Sequence, residues 1–293
     1  MRRVQLLIND IRFNTNNTDE NRISDMRLVK FFNDAQDAIQ AIVFMNDTDA
    51  KHFSVETFID LQYGIEKYTL PSDIYANNSI NSVARKVNEG SSTFFTPLRK
   101  TSEKERRKGM SYSVIGNQIV ISPLPKINLL NGIRVNYIQK LPKLSQRVGQ
   151  IKSLSSGTSV TIDILSEGDI SLFEDYFCIV DRYGAIKDEG LLIDAYNENT
   201  GKITTSSTIA NGAIGDYVVI GKRATSHAQL PENTEALLTS FVERRIQLVD
   251  SSSDINNADL FTEKEKDLII GLYSKNDHDA KYPTIVDETY LNE

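Results

Sequence analysis

The chain has 293 residues, of which 40% are hydrophobic and 25% are charged, so it is long and apolar enough to bury a large core, and a disordered or fibrous protein is excluded. The formal net charge of -7 argues against broad binding to duplex nucleic acid, because neutralising phosphates requires a surplus of Lys and Arg. Cys178 is the single cysteine, which excludes an internal disulfide, and its apolar neighbours predict a buried, inert thiol.

Two helices are predicted at the start of the chain. Apolar residues at i, i+3, i+4 and i+7 predict a short amphipathic helix within 3–13. A longer apolar stripe predicts a second helix over 24–46, capped by Ser24. Because Phe31 and Phe44 lie off the main stripe of this helix, we predict that both side chains belong to an interface between subunits.

After residue 53 the apolar period changes to two, which is typical of strands. Seven strands are predicted in the first β-rich stretch, at 57–61, 68–70, 80–87, 94–98, 111–115, 118–122 and 133–139. Gly116 and Asn117 predict a two-residue hairpin turn between two of them. A second block has strands predicted at 150–154, 159–164, 177–180, 191–197, 202–206 and 216–221.

Helical periodicity returns after Pro231 and again over 260–273. Strands and helices do not alternate, so a parallel doubly wound sheet is not expected. We predict an α+β protein whose first and last helices pack together into a helical base. Its domains are predicted as 1–52 with 226–275 for this base, 53–148 for a β-rich domain, 149–225 for an inserted all-β domain, and 276–293 for an extended C-terminal tail.

Signals for catalysis, metals and cofactors are missing from the sequence. His52, His227 and His278 have no second His or Cys at ligand spacing, so we expect three exposed histidines and no metal site. The stretch 215–223 differs from a phosphate-binding loop in its glycine spacing and reads as a strand. No nucleophile motif is present. We therefore predict a protein that is not an enzyme and needs no cofactor.

Two alternative functions stay open at this point. Glycan hydrolysis needs two carboxyl groups facing one bond, and the candidates for it are Glu167, Asp169, Glu174 and Asp175. Carbohydrate binding usually depends on exposed aromatic residues, for which the inserted β block offers Tyr183 and Tyr196. Solvated acidic loops explain the carboxylates more simply, and the chain has no Trp.

A basic strip interrupts this acidic chain between two predicted strands. Its cationic residues are Arg99, Lys100, Lys104, Arg106, Arg107 and Lys108. The strip has no aromatic residue for stacking on bases, so a solvated connector with internal ion pairs explains it most simply. If the protein surrounds DNA, we expect the contact with the DNA channel here, without sequence specificity.

Three pieces of the sequence resemble a known family in their order and spacing. They are 28–36 (LVKFFNDAQ), 68–74 (YTLPSDI) followed by 80–87, and 117–125 (NQIVISPLP) followed by 133–138 and 141–144. Together they resemble the head-to-tail connector, or adaptor, proteins of short-tailed bacteriophages. The block 149–225 is similar to an insertion in the larger ring proteins of crAss-like phages, where the chain returns to its helical base at a Leu-Pro-Glu phrase, here 230–232.

The resemblance implies a virion structural protein at the interface between head and tail. It implies a homo-oligomeric ring, commonly a dodecamer, that docks below the portal protein, extends the DNA channel and joins the capsid to the tail. Its partners would be the other copies of the chain, the portal, other tail or ring proteins and the passing genomic DNA.

Two further expectations concern the ends of the chain. The first apolar stretch is broken by Asn9 and Asp10 and no run is long enough to span a bilayer, so we expect synthesis in the host cytoplasm and no membrane contact. The tail carries spaced apolar residues suited to ordering on a partner. These are Tyr282, Ile285, Val286, Tyr290 and Leu291. A frayed terminus is the alternative for the tail.

Overall fold

A computed structural model describes residues 2–16, 23–46, 51–76, 79–89, 92–102, 109–155, 157–165, 176–230, 232–251 and 261–274. These residues form helices and strands in several separate sheets, so the predicted α+β class is confirmed. The chain divides into two compact units. We call Met1–Ile42 with Pro142–Glu293 the helix–barrel unit, and Val43–Leu141 the sandwich unit.

Apolar periodicity locates the helices in the described part of the chain. Their bounds are α1 (Val4–Asn14), α2 (Asp25–Asn46), α3 (Glu232–Ser251) and α4 (Glu263–Ser274). Ser24 directly precedes α2 and its hydroxyl oxygen accepts a hydrogen bond from the Arg27 backbone N–H at 3.4 Å, which agrees with the predicted cap. The buried face of α1 consists of Val4, Leu7, Ile8 and Ile11.

The contact between α3 and α4 combines an aromatic pair with an ion pair. Phe241 and Phe261 are both buried, and their ring centroids lie 5.0 Å apart. Arg244 donates hydrogen bonds to both carboxylate oxygens of Glu265, and this cation lowers the pKa of Glu265 to about 2. Glu265 also accepts a hydrogen bond from the Thr262 backbone N–H at 2.8 Å, which completes a capping box at the start of α4.

The sandwich unit contains two four-stranded sheets. The first sheet consists of β1 (Ser54–Leu61), β3 (Ile80–Glu89), β4 (Ser92–Pro97) and β8 (Leu129–Ile138) in the order β1-β8-β3-β4. The second consists of β2 (Lys67–Thr69), β5 (Arg99–Lys100), β6 (Ser111–Ile115) and β7 (Gln118–Ser122) in the order β2-β7-β6-β5. Residues of both sheets share one core, including Val83 and Val135 of the first and Ile119 and Ile121 of the second.

Six strands of the helix–barrel unit close into a barrel. They are β10 (Arg147–Ser155), β11 (Ser159–Ile164), β12 (Tyr176–Val180), β13 (Ile186–Asn197), β14 (Lys202–Thr205) and β15 (Tyr217–Ile220), and they neighbour each other in the order β10-β11-β14-β13-β12-β15. Alternating apolar residues such as Val160, Phe177 and Val218 fill the interior. Gly201 has a φ of +64°, and a Cβ there would lie 2.3 Å from the Ile162 carbonyl oxygen, so only glycine fits this turn.

A short parallel pair lies outside the barrel. It joins β9 (Lys143–Leu144) to β16 (Ala224–Thr225). The sequence did not predict these strands or β5, because a two-residue strand is too short to show a period. The longer predicted strands are all present, and those at 111–115, 118–122 and 159–164 have the predicted bounds. Gly116 has a φ of +58°, as the predicted hairpin turn requires.

Candidate functional site

Five exposed apolar side chains lie on two neighbouring loops at one end of the sandwich unit. We call this group the apolar tip; its members and their exposed fractions are Tyr63 68%, Ile65 43%, Leu124 50%, Ile127 48% and Leu130 74%. The first two lie in the loop between β1 and β2, and the others lie between β7 and β8 or at the start of β8. Scattered exposed apolar residues are ordinary, but a contiguous group is typical of an interaction surface.

Hydrogen bonds between the two loops hold the apolar tip in place. The Gly64 backbone N–H donates to the Pro125 carbonyl oxygen at 3.0 Å, and the Tyr63 backbone N–H donates to Asn128 Oδ1 at 2.6 Å. The buried Tyr68 hydroxyl donates to the Ile65 carbonyl oxygen at 2.8 Å. The loops are therefore ordered before any partner binds, which lowers the entropic cost of docking.

Cationic side chains surround the apolar tip. Arg85 Nη1 donates to the Pro123 carbonyl oxygen at 3.2 Å, and Lys86 Nζ donates to the Leu130 carbonyl oxygen at 3.4 Å. Lys126 lies on the same loop and is exposed. Asp60 is a nearby acidic residue, and it accepts a hydrogen bond from the Asn131 backbone N–H at 2.8 Å. The rim of the tip thus has a local excess of positive charge in an acidic protein.

The outer face of the first sheet carries aromatic residues and an arginine. Phe58 is 44% exposed and its ring centroid lies 5.8 Å from that of Phe95. The Arg134 guanidinium lies 4.9 Å from the Phe95 centroid, and its Nε lies 3.6 Å from Glu56. The ion pair between Arg134 and Glu56 is exposed and long, so it contributes little stability.

A buried cationic cluster joins the barrel to the segment before α3 in the helix–barrel unit. The Arg147 guanidinium stacks on Tyr217 with its Cζ 3.7 Å from the ring centroid. It also donates to the Arg182 carbonyl oxygen at 2.7 Å and to Ser226 Oγ at 3.2 Å. The neighbouring His227 is only 9% exposed. Burial, together with the nearby positive charge of Arg147, lowers the pKa of His227 to about 4.

The N-terminal residues 2–4 pair with residues 226–228, the segment that contains His227. The Val4 backbone N–H donates to the Ser226 carbonyl oxygen at 2.9 Å, and the Ala228 N–H donates to the Arg2 carbonyl oxygen at 3.0 Å. The Arg2 N–H donates to Glu235 Oε1 at 2.9 Å. These contacts tie the start of α1 to the chain entering α3. The predicted exposure of His227 is therefore wrong, because this long-range pairing covers the imidazole.

Asp188 binds the backbone of an exposed loop of the barrel, residues 210–215. This loop contains Ile214, which is 70% exposed. The buried carboxylate of Asp188 accepts hydrogen bonds from the backbone N–H groups of Ala210, Asn211 and Gly212, the last at 2.7 Å. The carboxylate thus satisfies three successive backbone donors. The Ala213 N–H donates to Asp216 Oδ2 at 2.8 Å, so two carboxylates fix the backbone of this loop.

We expect the Asp188→Asn substitution to loosen this loop, because the amide NH2 cannot accept the Gly212 N–H bond that the carboxylate accepts. Hydrogen exchange of the amides of 210–212 is expected to accelerate by roughly 5- to 150-fold, corresponding to about 1–3 kcal/mol of lost protection. Asp194→Asn, at an exposed position of the same strand β13, is the matched control. Equal exchange rates in both variants would contradict this role of Asp188.

In a comparison with protein-family models, residues 2–156 match the SU10 adaptor protein family. The match covers more than half of the chain, including α1, α2, the whole sandwich unit and β10. The chain belongs to the SU10 adaptor protein family. Among curated proteins no match is found. The resemblance to head-to-tail adaptors is therefore confirmed, and the chain is a structural adaptor of a bacteriophage virion.

The family match divides the adaptor into a matched part and the elements that follow it. The apolar tip and the aromatic outer face both lie within the matched residues. The strands β11 to β15, together with α3 and α4, lie beyond the match at residue 156. The sandwich surfaces therefore lie in the part of the chain that matches the family, whereas the Asp188 loop lies outside that part.

The two phenylalanines predicted at the subunit interface of the adaptor differ in their surroundings. Phe31 is only 5% exposed, and the guanidinium carbons of Arg27 and Arg245 lie 5.7 and 5.8 Å from its ring centroid. Phe44 is half-buried, and its ring centroid lies 4.9 Å from that of Tyr75. Phe44 is thus the more accessible of the two in the single chain.

The other predicted contact residues are described only in part. Arg99 and Lys100 form β5 and are exposed at the edge of the second sheet. Lys104, Arg106, Arg107 and Lys108 lie outside the described residues, as do Tyr282, Ile285, Val286, Tyr290 and Leu291 of the tail. The structure therefore places the first two members of the basic strip and leaves the tail residues as predictions.

Most of the residues considered for alternative functions of the adaptor lie outside the described part of the chain. Glu167, Asp169, Glu174 and Asp175 lie outside the described residues, as does His278. Tyr183 is 62% exposed with the Arg182 guanidinium 4.5 Å from its ring centroid, whereas Tyr196 is half-buried. His52 is exposed. Within the described ranges, no group of three or more metal-ligating side chains and no membrane-spanning helix is found.

Cys178 is buried as predicted, and its thiol lies between Gly221 and Ala224. Burial raises the pKa of this thiol.

The apolar tip was not predicted from the sequence, although the sequence contains a signal for it. Leu124 and Ile127 are apolar residues inside a segment of turn-forming Pro and Asn residues, where polar residues are expected.

Proposed function

We propose that the adaptor assembles into a homo-oligomeric ring, a dodecamer, that docks below the portal protein and joins the capsid to the tail. The observation that carries this proposal is the family match, which spans the whole sandwich unit and the first two helices. Identical subunits that contact each other through different faces close into a ring when the rotation between them divides a full turn. The exposed tip and outer face of the sandwich unit provide surfaces for such contacts.

In this proposal the ring surrounds and extends the DNA channel, and the adaptor performs no catalysis. Exposed cations on the inner wall hold the passing DNA without reading its sequence, because phosphate contacts are independent of base identity. Arg99 and Lys100 in β5 are the described candidates for this contact, and the remaining basic strip continues from them in sequence. Synthesis in the host cytoplasm precedes assembly into the virion.

Mass photometry of the purified adaptor, alone and mixed with the portal of the same virus, tests the ring. We expect a closed oligomer of about twelve chains in at least one of the two samples, because the exposed apolar surfaces gain free energy by burial. A strict monomer in both samples would contradict the proposal.

Phe44 provides a variant for the same measurement. Phe44→Ser removes a half-buried ring and is expected to lower the fraction of closed oligomer. Phe13→Ser changes an 86% exposed ring and serves as the matched control. Circular dichroism of both variants establishes that each remains folded, so that a loss of oligomer reports the interface.

A further inference from the structure

The apolar tip of the sandwich unit requires a partner of a particular chemistry. Its five side chains are between 43% and 74% exposed, and hydrogen bonds between the loops fix their positions. A fixed apolar surface with a basic rim suits an extended segment that carries spaced apolar anchors and negative charge.

The adaptor itself contains a segment of this composition. Beyond Ser274, the last residue of α4, the chain continues through 275–293. Its apolar anchors, Tyr282, Ile285, Val286, Tyr290 and Leu291, are interleaved with Asp287 and Glu288 and followed by Glu293. A segment of this length spans up to about 60 Å when it is extended. This length is comparable to the diameter of a compact chain of this size, so a contact with a neighbouring copy is sterically accessible.

We propose that the C-terminal segment 276–293 of one adaptor binds the apolar tip of a neighbouring copy. The apolar anchors cover Tyr63, Leu124 and Leu130, and the acidic residues face the cations of the rim. This contact deepens the proposed ring and rests on it, because it requires a second copy beside the first. Each tip is filled once and each segment is used once, as a head-to-tail ring contact requires.

Two observations favour this occupant. The first is charge: Arg85, Lys86 and Lys126 lie at the rim, and Asp287, Glu288 and Glu293 lie in the segment. The second is the local composition of the segment, because the apolar pairs 285–286 and 290–291 lie on either side of Asp287 and Glu288. Apolar and acidic side chains are therefore available within one short stretch, as an apolar surface with a basic rim requires.

Disulfide trapping between two differently tagged, full-length chains tests the contact. One chain carries Leu130→Cys and the other carries Tyr290→Cys, while native Cys178 is fully buried in both. After mild oxidation, with and without the portal, we expect a disulfide-linked product containing both tags. Its yield is expected to exceed by at least about fivefold that of a control pair in which Ile214→Cys, 70% exposed on the barrel loop, replaces Leu130→Cys.

A charge exchange makes the test specific. Lys126→Glu in the chain that carries Leu130→Cys is expected to lower the cross-linked yield several-fold, and Glu288→Lys in the other chain is expected to restore it. A yield no higher than the control, with and without the portal, would overturn the proposal. So would protection of Leu130→Cys from a maleimide only when the portal is added, since the portal would then cover the tip. Mass photometry separates the two proposals. If rings form but the cross-linked product does not, the segment contact is rejected and the ring proposal stands.

Discussion

We expect the Phe241→Ala substitution to lower the free energy of unfolding of the helix–barrel unit by about 3–5 kcal/mol. The ring is fully buried and packs on Phe261, with 5.0 Å between the two ring centroids. Removing it takes away the transfer free energy of the ring and leaves a cavity that the neighbouring helices can fill only in part. The pair holds α4 against α3, so loss of helix signal is expected to begin at lower denaturant concentration.

Denaturant unfolding followed by far-UV circular dichroism measures this effect, because the signal reports the helices. Phe13→Ala is the matched control, since its ring is 86% exposed and its removal is expected to change stability by less than about 0.5 kcal/mol. If Phe241→Ala and Phe13→Ala unfold at the same denaturant concentration, the Phe241–Phe261 contact does not support the helical base.

A second large effect is expected on acidification, and it depends on His227. The pKa of this imidazole is about 4 in the folded protein and 6.5 without its surroundings. The unfolded chain therefore takes up a proton as the pH falls through 6.5, whereas the folded chain takes it up only near 4. The stabilisation that the neutral His227 contributes to the free energy of unfolding is fully present above pH 6.5. It decreases as the pH falls from 6.5 to about 4, by up to about 3 kcal/mol.

The groups facing His227 explain the direction of its pKa shift. Burial is the largest cause and lowers the pKa. The positive charges of Arg147, Arg3 and the amino terminus lower it further, whereas the negative charge of Asp181 raises it. Gly184 lies so close that a Cβ on it would be 2.6 Å from the imidazole Nδ1. A protonated ring would therefore be buried beside two arginines and the amino terminus, with Asp181 as the opposing charge.

Replacing the imidazole should remove this acid sensitivity. His227→Asn is expected to show a smaller loss of unfolding free energy than the wild type between about pH 7 and about pH 4.5, because its side chain does not titrate. His52→Asn, at an exposed position, is the control. The comparison uses the change with pH within each variant, so a constant destabilisation by Asn does not affect it. Parallel pH curves for the wild type and His227→Asn would refute the assignment.

Local patterns in the sequence determined the helices, the longer strands, the fold class and the family. The bounds of β6, β7 and β11 and the cap of α2 follow from alternation, turn residues and a single Ser, because these signals act between residues a few positions apart. The adaptor phrases in 28–36, 68–74 and 117–125 are equally local, and the family match, which spans all three, confirms the family that they indicated.

Only the tertiary structure decided which distant residues meet. In the barrel β14 lies between β11 and β13, and β15 lies between β10 and β12, an order that no strand's own pattern contains. The burial of His227 depends on its pairing with Arg3, and Arg245 reaches the ring of Phe31 from another helix. The apolar tip likewise exists only because two loops separated by some sixty residues hydrogen-bond to each other. Such contacts arise from packing of completed elements, so local periodicity cannot encode them.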